Sequence, residues 1–117
     1  MHELSICRGL VDAVLEEFRR LEPPAVRITR IHVVAGRLHQ IVPDFLRSAY
    51  EVLTRDTPAE GSELELEILP LTGRCRACGW EGEIEPPVFR CAGCEAFAIE
   101  LGGGKELALD RMEVEER

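Results

Sequence analysis

No stretch of this sequence approaches the ~18 consecutive apolar residues that a membrane helix needs. Its first residues lack a basic segment followed by a purely apolar one, so no secretory signal is expected. Lysine is almost missing: Lys105 is the one lysine among 14 basic residues, set against 22 acidic ones. The formal charge of −8 and a pI near 4.9 describe a chain repelled by phosphate backbones and anionic lipid. Nucleic acid and membrane surfaces are therefore not expected partners. No Ser/His/Asp set, phosphate-cradling loop or internal repeat of domain scale is visible, so an enzyme is not expected. What is present is ordinary globular composition: 45% hydrophobic and 31% charged residues in a 117-residue chain. That length suits one domain with a small satellite.

Apolar periodicity organises the first two-thirds. Cys7, Leu10, Val11, Val14, Leu15, Phe18 and Leu21 recur at helical steps, which predicts an amphipathic helix over 4–21. Pro23-Pro24 stops it. Cys7 lies on the apolar stripe and reads as a buried structural thiol. Residues 27–35 read as a strand with Ile31, Val33 and Ala35 on one face, while Val26 and Ile28 are out of phase. A second helix is expected over 43–56, opened by Pro43 and Asp44, with Phe45, Leu46, Ala49, Val52 and Leu53 as its stripe. Residues 63–69 alternate Glu and aliphatic, the pattern of a half-buried strand whose glutamates form a solvated outer face. A last strand is expected over 105–114. The fold class is thus α+β, a small sheet of about three strands with two helices. Residues 72–104 form an inserted module, and 1–71 with 105–117 form the main domain.

The inserted module carries Cys75, Cys78, Cys91 and Cys94, together with Pro86-Pro87 and Trp80, the one tryptophan. Such a segment cannot build its own apolar core and needs a staple. Two C-x-x-C turns can aim four thiolates at one ion, a closed tetrahedral site of the structural-zinc type. Zinc is favoured over iron, since the scarcity of aromatics and the short spacing weigh against a rubredoxin-like carrier. A full shell of sulfur leaves no position for a catalytic water. Arg74, Arg76 and Arg90 flank the ligands, and two readings of them stand equally: they offset part of the thiolate charge, or they are generic surface residues. Gly79 follows the first pair where a turn welcomes positive φ. Glu95 holds the matching place after the second pair, so that turn is expected to be less regular. A reducing, cytoplasmic compartment fits unpaired thiols.

The chain opens Met1-His2-Glu3-Leu4-Ser5. An α-amine, ionisable backbone amides and an imidazole lie within three residues. Together they can supply four nitrogens in a plane, the arrangement preferred by Ni(II) and Cu(II).

That opening is one part of a wider pattern. Gly36-Arg37-Leu38, Val42-Pro43-Asp44, the run Ala59 to Leu64, the two C-x-x-C pairs and Gly104-Lys105-Glu106-Leu107 complete it. The whole chain resembles the HypA/HybF family of hydrogenase-maturation nickel metallochaperones. The resemblance implies a nickel site on Met1, His2 and Glu3, with His2 as a ligand. It implies structural zinc on Cys75, Cys78, Cys91 and Cys94. It also implies a nickel-handling maturation GTPase and the [NiFe]-hydrogenase large subunit precursor as partners, and some relatives also serve urease maturation. The sequence departs from the family in two places. Relatives often have Pro at the position of Ala92 and Gly at that of Glu95, and many carry a small polar residue where His39 stands; His39 is expected to be a surface residue. The competing reading is a zinc-ribbon adaptor or nucleic-acid-associated module with no nickel role.

Overall fold

The computed structural model describes residues 2–85 and 89–116. In chain order it contains α1 (His2–Arg19), β1 (Ala25–Gly36), a single 3-10 turn (Arg37–His39), α2 (Pro43–Leu53) and β2 (Glu63–Leu69). These are followed by β3 (Thr72–Cys75), β4 (Glu81–Glu83), β5 (Ile99–Gly103) and β6 (Leu107–Glu116). Two three-stranded sheets result, ordered β2-β1-β6 and β4-β3-β5. No helix among the described residues is long and apolar enough to cross a membrane.

Chain contacts divide the molecule into two compact units. One comprises Met1–Val34, Ile41–Glu67 and Ala108–Arg117; the other comprises Ala35–Gln40 and Ile68–Leu107. The composition boundaries at 71/72 and 104/105 fall inside the second unit.

In the first unit α1 presents Cys7, Leu10, Val11 and Val14, and α2 presents Leu46 and Tyr50. All of these bury against Ile28, Ile31 and Val33 of β1 and Leu64 of β2. The helix expected over 4–21 starts two residues earlier and ends at Arg19. Beyond it only single-turn bonds remain, Arg20 N–H to Glu17 and Leu21 N–H to Phe18. The stripe of α2 is rotated from its expected position. Leu46 and Tyr50 face inward, whereas Phe45 and Val52 stand outside at 63% and 53% exposure. Leu46, Tyr50 and Leu53 keep the i, i+4, i+7 spacing, and Tyr50 satisfies its hydroxyl on Ser62 Oγ at 2.7 Å. The helix also stops before 56. Thr54 turns its hydroxyl back onto the Tyr50 carbonyl at 2.7 Å, and Asp56 follows with positive φ.

β1 shows the phase break expected at its start: Ile28 is fully buried, Val26 exposed, and Ile31, Val33 and Ala35 buried again on alternate positions. The Ile28 N–H donates to the Pro58 carbonyl at 2.9 Å, so the loop after α2 pins this end of the strand. The outer glutamates of β2 are answered by β1. Arg30 reaches Glu63 at 3.0 Å and Glu65 at 3.3 Å, and His32 lies between Glu65 at 3.3 Å and Glu67 at 3.2 Å.

In the second unit, β3 is antiparallel to both neighbours, with Arg74 opposite Glu81 on one side and Glu100 on the other. Leu71 and Ile84 are buried with Cys75 and Cys91. Gly36 sits so close to the Gly104 backbone that a side chain there would collide with it. The Gly36 and Leu38 N–H groups donate to the Glu106 and Gly104 carbonyls. This close approach is a physical reason for glycine in the Gly-Arg-Leu turn.

Candidate metal centres

The first candidate lies at the start of α1. His2 is the first helical residue, and its side chain is half exposed. Glu3 is buried at 4% exposure. Its carboxylate accepts the Val42 N–H at 3.0 Å and stands 3.4 Å from His2 Nε2. The Val42 N–H, helped by the amide of Glu3 itself, holds the Glu3 carboxyl below its usual range, against the opposing effect of burial. Glu3 thus ties the first turn of α1 to the start of α2, with a ring nitrogen of His2 within reach. The first N–H groups of a helix have no carbonyl one turn earlier to bond, so amides placed there can be given to a ligand without breaking the helix ladder. Met1 lies outside the described residues. Phe45, Ser48, Ala49 and Leu4 line a recess of about 290 Å³ beside Glu3.

The second candidate is the cysteine cluster. The ligand atoms of Cys75, Cys78, Cys91 and Cys94 all lie within 4.8 Å of one another. Zn–S bonds near 2.3 Å place the sulfurs of a tetrahedral site roughly 3.8 Å apart. The Cys75–Cys94 and Cys78–Cys91 pairs stand at 3.7 and 3.6 Å, so the donor set fits a thiolate-bound zinc ion. Cys75 and Cys91 are 1% exposed, whereas Cys78 and Cys94 face solvent.

Two near-identical turns build this cluster. In the first, Gly79 N–H donates to the Cys75 carbonyl at 2.9 Å, and Cys75 N–H donates to the Trp80 carbonyl at 2.7 Å. In the second, Glu95 N–H donates to Cys91 at 2.9 Å, and Cys91 N–H to Ala96 at 2.9 Å. Gly79 has φ +83° and Glu95 φ +64°. The second turn was expected to be less regular, but it has the same bonds as the first. Glu95 accepts a left-handed backbone to make them, at a steric cost that Gly79 avoids.

Two of the flanking arginines have partners other than sulfur, which fits their reading as surface residues. Arg74 lies 3.8 Å from Glu81, and the Arg90 guanidinium sits over the Phe97 ring at 5.0 Å. Backbone amides face the sulfur instead. Gly93 and Cys94 N–H groups point at Cys91 Sγ from 3.2 and 3.4 Å. Burial disfavours the Cys91 thiolate, yet these amides and the neighbouring thiols bring it down to about 7. No sequence signal marks that contribution, because it belongs to the turn's geometry rather than to a side chain. Cys7 is fully buried in the first unit, and burial pushes its thiol up to about 11, as suits an inert structural residue. His39 donates its Nε2 proton to the Lys105 carbonyl at 3.1 Å and remains part-exposed in the second unit.

Comparison with known proteins shows the family. A family model described as "Hydrogenase/urease nickel incorporation, metallochaperone, hypA" matches residues 1–114. The hydrogenase maturation factor HypA of Desulfitobacterium hafniense is 34% identical over 99% of this chain and all of its own length. That of Chlorobium limicola is 37% identical, covering 99% of this chain and 98% of its own. The solution structure of the Ni metallochaperone HypA from Helicobacter pylori shares the fold, with a TM-score of 0.63 at 20% identity. That match covers 98% of each chain. The chain therefore belongs to the HypA family of hydrogenase/urease nickel-incorporation metallochaperones.

Proposed function

We propose that this chain binds Ni(II) at its N-terminus and delivers it to the [NiFe]-hydrogenase large subunit precursor, acting as a carrier and not as a catalyst. The Met1 amine, the His2 imidazole and the amides of residues 2 and 3 are the proposed donors. The Glu3 side chain orients His2 from its bond to Val42. A zinc ion on Cys75, Cys78, Cys91 and Cys94 holds the segment 72–104, and the rest of the chain serves as the nickel-binding domain. A nickel-handling GTPase is the proposed companion in the handover, with urease maturation proteins as a second client route, in the cytoplasm, where thiolates stay reduced. The observation that carries the reading is the placement of His2 on the solvent edge of α1, 3.4 Å from a fixed carboxylate.

Planar nitrogen coordination requires every donor nitrogen, the two amides included, to give up the proton that occupies its lone pair. Nickel affinity should therefore fall with acidity. The test is a calorimetric nickel titration of the wild type, His2→Ala and a form with extra residues before Met1. The wild type should bind one nickel and both variants should bind it more weakly. Equal affinity in all three would place the site elsewhere.

A further inference from the structure

The geometry points to a modification site within the zinc centre. Hydrogen peroxide oxidises its four cysteines to two disulfides that run across the two turns, Cys75 to Cys94 and Cys78 to Cys91, and so releases the ion. This rests on the zinc reading given above. Each turn contributes one buried and one exposed cysteine. Two short sulfur contacts join an exposed residue of one turn to a buried residue of the other, Cys78 to Cys91 at 3.6 Å and Cys94 to Cys75 at 3.7 Å, within a set of four sulfurs that all lie within 4.8 Å of one another. A peroxide from solvent meets Cys78 or Cys94 first, and the facing buried sulfur is in place to resolve the product.

The exposed thiolate attacks one peroxide oxygen. The O–O bond breaks, an S–O bond forms and hydroxide leaves. The buried thiolate then attacks that sulfur; an S–S bond forms, the S–O bond breaks and a second hydroxide leaves. Two peroxides thus take four electrons from four thiolates, and the four hydroxides become water on protonation. The zinc ion loses its four anionic donors and is freed. Each sulfur pair has to close to roughly 2.05 Å, a movement shared between two side chains on loops. Disulfides within each C-x-x-C turn would leave the turns unlinked. Disulfides across them preserve the chain closure that the ion supplied, so the module outlasts its metal. Cys7, fully buried in the first unit, stays a thiol.

The experiment uses the full-length zinc-loaded chain titrated with hydrogen peroxide. A chromophoric chelator reports zinc, peptide mass spectrometry after alkylation maps the disulfides, and limited proteolysis reports the fold of 72–104. One zinc should appear for every two disulfides, with 75–94 and 78–91 linkages and Cys7 alkylated. The segment should keep its resistance to protease, and a reductant with added zinc should restore the site. Linkages of 75–78 and 91–94, or sulfinic acids without disulfides, or zinc retained in excess peroxide would overturn the proposal. A chain that carries no zinc before oxidant is added would overturn the zinc reading and this proposal with it. A wrong disulfide map from a zinc-loaded chain overturns the proposal alone.

Discussion

Glu95 and Gly79 occupy equivalent places in two turns with the same hydrogen bonds, and only Gly79 is free of strain there. Replacing Glu95 with Gly should remove a steric cost of about 1 kcal/mol. That corresponds to roughly fivefold tighter zinc binding in competition with a chelator. Gly79→Ala should move affinity in the opposite direction by a similar factor. At Glu3, the carboxyl is held below its ordinary range by the Val42 amide. A depressed carboxylate contributes stability above its unfolded pKa and loses it as pH falls through the folded value. The tie between α1 and α2 should therefore persist through neutral pH and release only in acid. The Val42 amide resonance, followed by NMR during acidification, should shift in that range. Glu3→Ala should abolish the shift.

The two helices of the first unit illustrate how an apolar stripe becomes a packed face. α2 carries more apolar residues than its inner face can hold, and Leu46 and Tyr50 win the interior. Leu46→Ala should cost about 2–5 kcal/mol in denaturant unfolding of this unit, as for a fully buried leucine. Zinc stoichiometry should not change, because no cysteine ligand belongs to that core. Val52→Ala, on the exposed side, should cost far less. On the sheet, Arg30 and His32 of β1 face three glutamates of β2. The charge alternation of residues 63–69 is thus a cross-strand ladder as well as a solvated face.

At the scale of the whole molecule, the two units are stabilised by different means. The first has a continuous aliphatic core. The second buries few large side chains and gathers four sulfurs. Structural zinc supplies on the order of 10–16 kcal/mol apparent in small fingers at neutral pH. Chelating it should raise hydrogen exchange across β3, β4 and β5, while α1, α2 and β1 stay protected. Cys94→Ser should act in the same direction. Uniform loss of protection over the chain would show that the first unit depends on the metal, contrary to what its core implies.

The order of elements in the main domain, the α+β class and the cysteine quartet were legible from the sequence. Each rests on local signals: helical or alternating periodicity, proline stops and ligand spacing. The family resemblance was legible for the same reason, since its motifs are short and fixed in order. The rotation of the α2 stripe was not, because the choice between Phe45 and Tyr50 depends on which surface packs against the helix. The pairing of Glu3 with Val42 joins residues 39 positions apart, and the ladder from Arg30 and His32 depends on strand register. The regular turn at Glu95 escaped local reasoning too. Its left-handed backbone is unfavourable for glutamate alone and is imposed by the hydrogen bonds of the folded turn. Only the tertiary structure decided these features, because contacts distant in the chain set them against or beyond local preference.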